Sequence, residues 1–398
     1  MKTDILYIAN ARIPTEKAHG LQIMKMVEAF AQKADIELVL PYRFQSQAMK
    51  QVKDVYDYYY VAKKFKINYL FSFNLIPSLD SRMPSYIDSL LPLLNWQQSI
   101  CFGVIAAFYA LIKRASLIYS RDIFACFFLY LLRPFTKSKL FFEEHEFPKT
   151  KLGTKLKCWL LKRINGTVVI TSQLAKAYQV NSVPIKKILV APDSVDSKLL
   201  SIALAKTQVR QELSIPQDRK IICYTGHLYP WKGVHVAAQA MKVLSDINLL
   251  YIVGGTPPDI LNFKNFINNN SIQNVIMVGY VAPRQVRRYL AAADILVLPN
   301  TSADDMSRLY TSPLKLFEYM AARRPIVASD LPSIREILNE ENGILVKPDD
   351  PLALAEAVMK ISENKALADN LVRKAFQDVQ QYTWDKRAEK VLEFVDKR

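Results

Sequence analysis

Short apolar runs recur along the chain, and each ends in a turn followed by a helical pattern. In the front half the runs are DILYIA from Asp4, IELVL from Ile36, SLIYS from Ser116, KLFFEE from Lys139, TVVIT from Thr167 and ILVAP from Ile188. In the back half they are IICYTG from Ile221, LLYIVGG from Leu249, VIMVGY from Val275, ILVLP from Ile295, PIVAS from Pro325 and ILVKP from Ile344. Continuous rather than alternating runs are typical of strands covered on both faces. The pattern therefore predicts an α/β fold in which a parallel sheet is built twice.

The domain organisation follows from length and from one break in the pattern. A chain of 398 residues is too long for one ordinary core. Polar turn residues over 196–220 precede a fresh strand, so we predict one doubly wound domain over 1–198 and a second over 199–382. Two such domains in tandem make a cleft, and ligands of such sheets bind at the carboxyl ends of the strands, beside helix N-termini.

Charge is concentrated in the front half of the chain. Lys and Arg number 53 against 37 Asp and Glu, which gives a net charge of +16. Residues 1–198 hold 28 of these bases and 15 of the acids, a net +13. We therefore expect an anionic partner on the first domain.

Cysteine usage and apolar segments bear on the compartment. Four scattered cysteines without CxxC spacing suggest neither a zinc site nor a disulfide framework and fit a reducing cytoplasm. The stretch MKTDILYIAN does not have the pattern of a signal peptide. The apolar segment Ser99–Ile112 has 14 residues, whereas about 20 are needed to span a bilayer, so it predicts a buried or interfacial helix.

The stretch YTSPLKLFEYMAARRPIVAS carries the first candidate site. Ser312 can cap a helix with Pro313 in its first position, which leaves backbone amides near Thr311, Ser312 and Leu314 for an anion such as a phosphate. Glu318, farther along the helix, can accept hydrogen bonds from a vicinal diol such as a ribose. An ordinary pairing of Glu318 with Lys315 explains the carboxylate equally well.

Three further loops follow strands. In YTGHLYPWKGV, Gly226 permits a tight turn, and His227 and Lys232 can converge on one anion unless the loop is simply solvated. His145 stands among the three glutamates of FFEEHEFP, although a lone histidine is more often structural. After VIMVGY, Tyr280 and Val281 can flank a base or form a plain turn.

The motifs TGHLYPWKG, YIVGG, VGYVAPRQVRRYLAAADILVLPN and SPLKLFEYMAARRPIVASDLPSIRE resemble the retaining GT-B glycosyltransferases of family 4, the group 1 glycosyl transferases. They cover 220–350 continuously. EEHEFP, VVITSQLAKAY, VAPDSVD and AHGLQIMKMVEAFA extend the resemblance through the front domain. The closing segment 383–398 resembles the family's last helix, which crosses back to the first domain.

The resemblance implies a nucleotide-sugar donor held mainly by the second domain. Glu318 matches the ribose-contacting acid, Lys232 the lysine that binds the donor phosphates, and His145 the histidine that reaches the donor sugar. Gly20 falls at a glycine beside the diphosphate, and Val281 falls where backbone groups meet the base. No metal and no other cofactor are expected, because cations and backbone amides suffice to stabilise the leaving diphosphate. Asp304-Asp305 is the alternative metal-binding pair.

The sequence departs from the family pattern at three places. Tyr310 replaces the family's first acid, eight residues before Glu318. His227 stands where an arginine is common, and Asp193-Ser194 replaces the usual Asn-Gly. Because an acceptor for the sugar ring is lost at Tyr310, the identity of the donor sugar stays open.

The first function hypothesis is transfer of a sugar to a glycan or lipid-linked acceptor in cell-envelope polysaccharide or glycolipid synthesis. Another GT-B enzyme, such as a sugar-nucleotide epimerase or a phosphorylase, and a non-enzymatic basic module are the alternatives. No acid lies between Glu146 and Asp193, while nine Lys and Arg do, with Leu152, Leu156, Trp159 and Leu160 near helical spacing. This pattern suggests peripheral docking on the cytoplasmic face of an anionic membrane, or else a solvated helix face. Nucleic acid is not expected, since no groove-reading helix is evident.

Overall fold

The computed structural model describes residues 4–73, 85–201 and 204–398, and for 85–93 it describes the backbone alone. The chain divides into two compact units. Unit 1 comprises Met1–Ala191 with Trp384–Arg398, and unit 2 comprises Pro192–Thr383. The chain therefore leaves unit 1 once and returns to it.

Unit 1 is built on a seven-stranded sheet in which every pair of neighbours is parallel. The strands are β1 Asp4–Ile8, β2 Asp35–Pro41, β3 Lys66–Leu70, β4 Leu117–Ser120, β5 Lys139–Glu144, β6 Gly166–Val169 and β7 Ile188–Val190. Their order, β3-β2-β1-β4-β5-β6-β7, reverses direction at β1 and β4. Loops that follow these two strands border the crevice in which doubly wound sheets bind ligands.

Helices connect these strands. They are α1 Ala18–Ala31, α2 Val55–Tyr58, α3 Ser85–Lys113, α4 Ile123–Leu131, α5 Lys151–Leu161 and α6 Ser172–Val180. The apolar segment 99–112 is part of α3. Its Phe102, Ala106 and Ala110 are buried in unit 1, whereas Phe108 and Ile112 are exposed. Among the described residues, no helix has both the length and the apolar character that a membrane span requires.

Unit 2 is built on a six-stranded parallel sheet. The strands are β8 Lys220–Thr225, β9 Asn248–Val253, β10 Val275–Gly279, β11 Ile295–Leu298, β12 Ile326–Ser329 and β13 Ile344–Val346. The helices are α7 Ser197–Ser201, α8 Lys206–Glu212, α9 Val234–Ala240, α10 Pro257–Asn269, α11 Pro283–Ala292, α12 Leu314–Ala321, α13 Pro332–Arg335, α14 Pro351–Glu363 and α15 Lys365–Val379. The order β10-β9-β8-β11-β12-β13 reverses at β8 and β11.

The core of unit 2 consists of two apolar clusters of buried residues. One includes Leu296, Leu316 and Phe317, and the other includes Ile222 and Val297. Successive side chains of a strand point to opposite faces, so Leu296 and Val297 of β11 belong to different clusters. Both faces of the sheet are therefore covered, which explains why its strands are continuous apolar runs.

The last helix, α16 Trp384–Asp396, belongs to unit 1 although it follows unit 2 in the chain. It packs beside α1, and Lys33, two residues after α1, has its Nζ 2.7 Å from Glu389 Oε1. On its other side the rings of Phe394 and Phe141 are 5.7 Å apart between centroids. The helix thus completes one face of the unit 1 sheet.

Candidate functional site

The loop after β8 is pressed against the neighbouring strand ends. Gly233 has φ +66°, and a Cβ at this position would lie 1.8 Å from the carbonyl oxygen of Pro299. A Cβ at Gly254, the first residue after β9, would lie 2.3 Å from the carbonyl oxygen of Gly226. Only glycine permits these approaches. The loop therefore has a fixed course across the carboxyl edge of the sheet.

Aromatic rings order the side chains of this loop. The His227 ring stacks on Tyr229 with centroids 5.0 Å apart and planes at 15°, and Tyr229 stacks on Trp231 at 6.3 Å. Lys232 Nζ lies 3.7 Å from the centroid of the Trp231 ring. Burial lowers the pKa of Lys232 to about 7. An anion that replaces water around this ammonium group would favour its charged form.

Helix α12 begins one residue later than the sequence suggested. Pro313 is the capping residue in an extended conformation, and Leu314 is the first helical residue. Ser312 does not cap the helix, because its Oγ accepts the backbone N–H of Asp193 at 2.9 Å. Thr311 and Ser312 are both buried. The first N–H groups of a helix have no acceptor inside it. Here Leu316 N–H already donates to the Pro313 carbonyl oxygen at 2.8 Å, so the amide part of the prediction keeps its geometric basis at Leu314.

Glu318 lies on the second turn of α12. Burial raises its pKa to about 7, against the opposing effect of the Lys315 charge. No hydrogen bond reaches this carboxylate from the residues that the structure describes, and none forms with Lys315. The next side chain, Tyr319, accepts the backbone N–H of Thr225 through its hydroxyl at 2.8 Å, which ties α12 to the end of β8. The ordinary Glu318–Lys315 ion pair that the sequence allowed is therefore absent from the described structure.

The other predicted positions of unit 2 have distinct surroundings. Tyr280 is 41% exposed at the end of β10, whereas Val281 packs against the apolar core, so only its backbone is available to a base. Asp304 accepts the backbone N–H of Met306 at 2.8 Å, and Asp305 pairs with Arg308 at 2.6 Å. No group of three or more His, Cys, Asp or Glu residues in the described parts of the chain is arranged to hold a metal ion.

In unit 1, His145 follows β5 and its Nε2 lies 2.7 Å from Glu143 Oε1. Glu143 is buried, and Arg387, His145 and Arg121 together hold its pKa well below the ordinary value despite the cost of burial. Arg387 Nη1 is 3.3 Å from its Oε2, and the Tyr119 hydroxyl donates to the same oxygen. An ionised Glu143 therefore fixes the orientation of the histidine ring.

Glu144, the neighbouring acid, has a structural role. It accepts a hydrogen bond from Tyr178 at 2.6 Å and one from Lys157 at 2.6 Å. Of the three glutamates around His145, only Glu143 contacts the imidazole ring in the described structure. Two of the glutamates in this loop thus have different roles. Glu143 binds the ring of His145, and Glu144 links the loop to Tyr178 and Lys157.

Close packing requires a glycine at position 20, apart from the role beside the diphosphate that the resemblance implies for Gly20. A Cβ here would lie 2.4 Å from the Tyr59 hydroxyl and 2.5 Å from Thr15 Cγ2. The preceding residue, His19, was not singled out from the sequence. Its pKa falls to about 3, because of burial and then the charges of Arg121, Lys17 and His145. His19 and His145 therefore share one electrostatic environment in unit 1.

The architecture of two parallel α/β units is that of the GT-B fold. The chain is similar to Anabaena HepE solved with UDP, with a TM-score of 0.77, 15% identity and full coverage of both chains. It is also similar to sucrose-phosphate synthase from Thermosynechococcus elongatus, with a TM-score of 0.76, 18% identity and coverage of 100% of this chain and 99% of that one. At these identities the likeness shows the fold, and the predicted fold class is confirmed.

Residues 219–364 match the family model described as Glycosyl transferases group 1, which confirms the resemblance to group 1 glycosyl transferases over that segment. The putative teichuronic acid biosynthesis glycosyltransferase TuaC of Bacillus subtilis is 28% identical over 175 residues, 44% of this chain and 41% of that protein. The phosphatidyl-myo-inositol mannosyltransferase of Mycobacterium leprae is 25% identical over 237 residues, 58% of this chain and 59% of that protein. The chain thus spans about half the length of the curated relatives it matches.

Proposed function

We propose that the protein is a retaining glycosyltransferase that moves a sugar from a nucleotide-sugar donor to a glycan or lipid-linked acceptor. The observation that carries the proposal is that Lys232 and Glu318 both lie inside the segment that matches the family model. Lys232 is a cation with a depressed pKa, and Glu318 is a carboxylate with a raised pKa and no hydrogen bond from the described residues. Each is poorly satisfied by the protein alone and well suited to one part of a nucleotide.

The proposed chemistry assigns a role to each group. Lys232, His227 and the first amides of α12 take up the negative charge that develops on the leaving diphosphate. Glu318 accepts the ribose hydroxyls, and the backbone at Val281 meets the base. His145, oriented by Glu143, positions the donor sugar without having to act as a base. Retention of configuration follows if the acceptor attacks from the face that the leaving group vacates and the leaving phosphate assists its deprotonation.

The names of the relatives guide the choice of donor and pathway. TuaC is named for teichuronic acid biosynthesis, and the mycobacterial relative for mannosyl transfer to phosphatidyl-myo-inositol. We therefore propose a role in cell-envelope polysaccharide or glycolipid synthesis. Solved structures of HepE contain UDP and UDP-glucose, so uridine nucleotides are the first donors to test.

A membrane surface is the proposed meeting place with the acceptor. On α5, Leu152 is 68% exposed, Leu156 60% and Trp159 37%. Trp159 continues this apolar stripe to α4, where its ring lies 5.3 Å from that of Tyr130. The Arg163 guanidinium stands 4.3 Å from the Trp159 ring centroid. An exposed apolar stripe flanked by bases suits peripheral binding to anionic lipid on the cytoplasmic side.

The first experiment screens nucleotide sugars by calorimetry and then follows the best donor with membrane-derived glycolipid acceptors. We expect one nucleotide class to bind, and we expect NMR of the product to show the anomeric configuration of the donor. Free sugar or a new sugar nucleotide formed without any acceptor would point to an epimerase instead. Polyanion binding that persists in Glu318→Ala, together with no binding of any nucleotide sugar, would point to a basic binding module.

The membrane proposal has its own test. Co-sedimentation with vesicles of anionic lipid at low salt should retain the protein, and about 0.5 M salt should weaken the binding, since each basic residue near the surface contributes about 1 kcal/mol that salt screens. Trp159→Ala should bind less, with the exposed Val243→Ala of unit 2 as the control. Equal and negligible binding in every condition would favour a soluble acceptor.

A further inference from the structure

Lys315, the second residue of α12, is a buried cation that the protein leaves unsatisfied. The residue is 8% exposed, and its Nζ makes no hydrogen bond to any residue that the structure describes. The ammonium group stands over the Tyr224 ring, 3.9 Å from its centroid. Burial of an ammonium group without a hydrogen-bonding partner is costly, and one aromatic face offsets that cost only in part.

The surroundings of Lys315 are already positive. Its pKa is held well below the ordinary value, first by burial and then by the charge of Lys232, with Glu318 opposing. Two cations held together by a fold repel each other, unless an anion lies between or beside them. Glu318 is the acid that acts on Lys315 electrostatically, but no acid among the described residues forms a hydrogen bond with its Nζ, so this ammonium group is free to bind the anion of a ligand.

The position of the ammonium group indicates where that ligand lies. A Cβ built on Gly226 would be 3.8 Å from Lys315 Nζ, so the ammonium faces the loop that follows β8. This is the loop that carries His227 and Lys232. The bond from Thr225 N–H to Tyr319 holds α12 at a fixed distance from the same loop. Lys315 therefore reaches the edge of the sheet at which doubly wound folds bind phosphates.

We propose that Lys315 is a second cationic ligand of the donor diphosphate, acting together with Lys232. This inference rests on the proposed function and extends it, since it assigns Lys315 to the phosphates beyond its electrostatic interaction with Glu318. A Lys at this position has no structural advantage, because a Met of similar length would fill the space over Tyr224 without a buried charge.

The test compares Lys315→Met with wild type in calorimetric binding of UDP, UMP and inorganic pyrophosphate. We expect Lys315→Met to weaken UDP binding ten- to a hundredfold, as for the loss of one charge-assisted hydrogen bond. The loss should be smaller for UMP and should recur with pyrophosphate, which has neither base nor ribose. Because the variant removes an uncompensated buried charge, its midpoint of thermal unfolding should equal or exceed that of wild type. If wild type does not bind UDP, the same series is run with GDP, ADP and dTDP.

The matched control is Lys242→Met, which removes one exposed lysine from unit 2 beyond the far end of α9. It should change UDP affinity by less than about twofold, since salt screens a solvent-exposed charge. Lys315→Arg, which keeps the charge, serves if Lys315→Met does not fold. Affinity of Lys315→Arg within about tenfold of wild type would then support the assignment, and a hundredfold loss or more in this folded variant would overturn it.

The outcomes separate this inference from the proposed function. Wild-type UDP affinity in a folded Lys315→Met overturns the role of Lys315 and leaves the donor site intact. Equal losses for UMP and UDP also overturn it, since the contact would then lie outside the diphosphate. Failure of wild type to bind any nucleoside diphosphate or pyrophosphate overturns both the donor site and this assignment.

Discussion

Glu318→Gln should make unit 2 more stable and less able to bind its donor. Burial raises the pKa of Glu318 to about 7 from an ordinary 4.5. Because the folded pKa lies above the unfolded one, ionisation opposes folding, and this penalty grows as pH rises from 4.5 to 7. The difference corresponds to at most about 3 kcal/mol at pH 8. Gln removes it at a similar volume, so we expect a gain of about 1–3 kcal/mol at pH 8 and almost none at pH 4.5.

The same substitution removes the acceptor that we assign to ribose. The expected loss is a charge-assisted hydrogen bond, about 1.5–3 kcal/mol, which is ten- to a hundredfold or more in the dissociation constant. Urea unfolding at pH 4.5 and 8 measures the first effect, and calorimetry with the best-binding nucleotide sugar measures the second. Glu356→Gln, on the exposed side of α14, is the matched control for loss of one carboxylate. Unchanged affinity at pH 8, or a stability difference that does not grow with pH, would refute the reasoning.

Four other outcomes are expected. Lys232→Met should weaken nucleotide-sugar binding by at least tenfold at pH 6.5. The affinity of wild type should fall above pH 7 as Lys232 loses its proton, and a wild-type affinity that does not change with pH would contradict the role of this charge. Transfer should continue in excess EDTA, and a complete loss that Mg²⁺ or Mn²⁺ restores would revive a metal site. Gly233→Ala should destabilise unit 2 by several kcal/mol in urea unfolding, because its Cβ would meet the Pro299 carbonyl, and wild-type stability would contradict the close approach of these two backbone segments. Glu143→Gln should lower the free energy of unfolding by about 3–5 kcal/mol, because it leaves buried guanidinium groups without a counter-charge. His145→Ala should lower the free energy of unfolding clearly less, and equal losses in the two variants would contradict this reasoning.

The fold was largely predictable because burial on both faces leaves a simple signature. The six strands that the structure describes in unit 2 coincide with the apolar runs in the sequence. The strand missed in unit 1, β3, reads KINYL and lies at the edge of the sheet, where its side chains are partly exposed. An edge strand with polar residues has no continuous apolar run, and periodicity alone does not distinguish it from a loop.

The candidate site was less predictable, because local rules compete with contacts distant in sequence. Ser312 before Pro313 is a standard helix start, yet Asp193, which is 119 residues away, takes its hydroxyl oxygen. The sequence allowed Lys315 to be an ordinary partner of Glu318 as readily as it allowed Glu318 to bind ribose, since residues three apart on a helix are neighbours. The one feature of the sequence that indicates a buried Lys315 is its position between two apolar residues at a helix start. His19 had no signal beyond its position before Gly20, because only the fold brings Arg121 and His145 near it.

The return of α16 to unit 1 has a consequence for how the chain is made. Arg387 neutralises Glu143 from 244 residues later in the sequence. At about 5–20 residues per second, a ribosome takes roughly 10–50 s to add that intervening stretch. During this interval Glu143 has Arg121 and His145 as partners but not Arg387, while every strand of unit 2 is synthesised before Arg387. The whole of unit 2 has therefore been synthesised before unit 1 is complete, although unit 1 begins first. Unit 1 becomes complete only when α16 has been added.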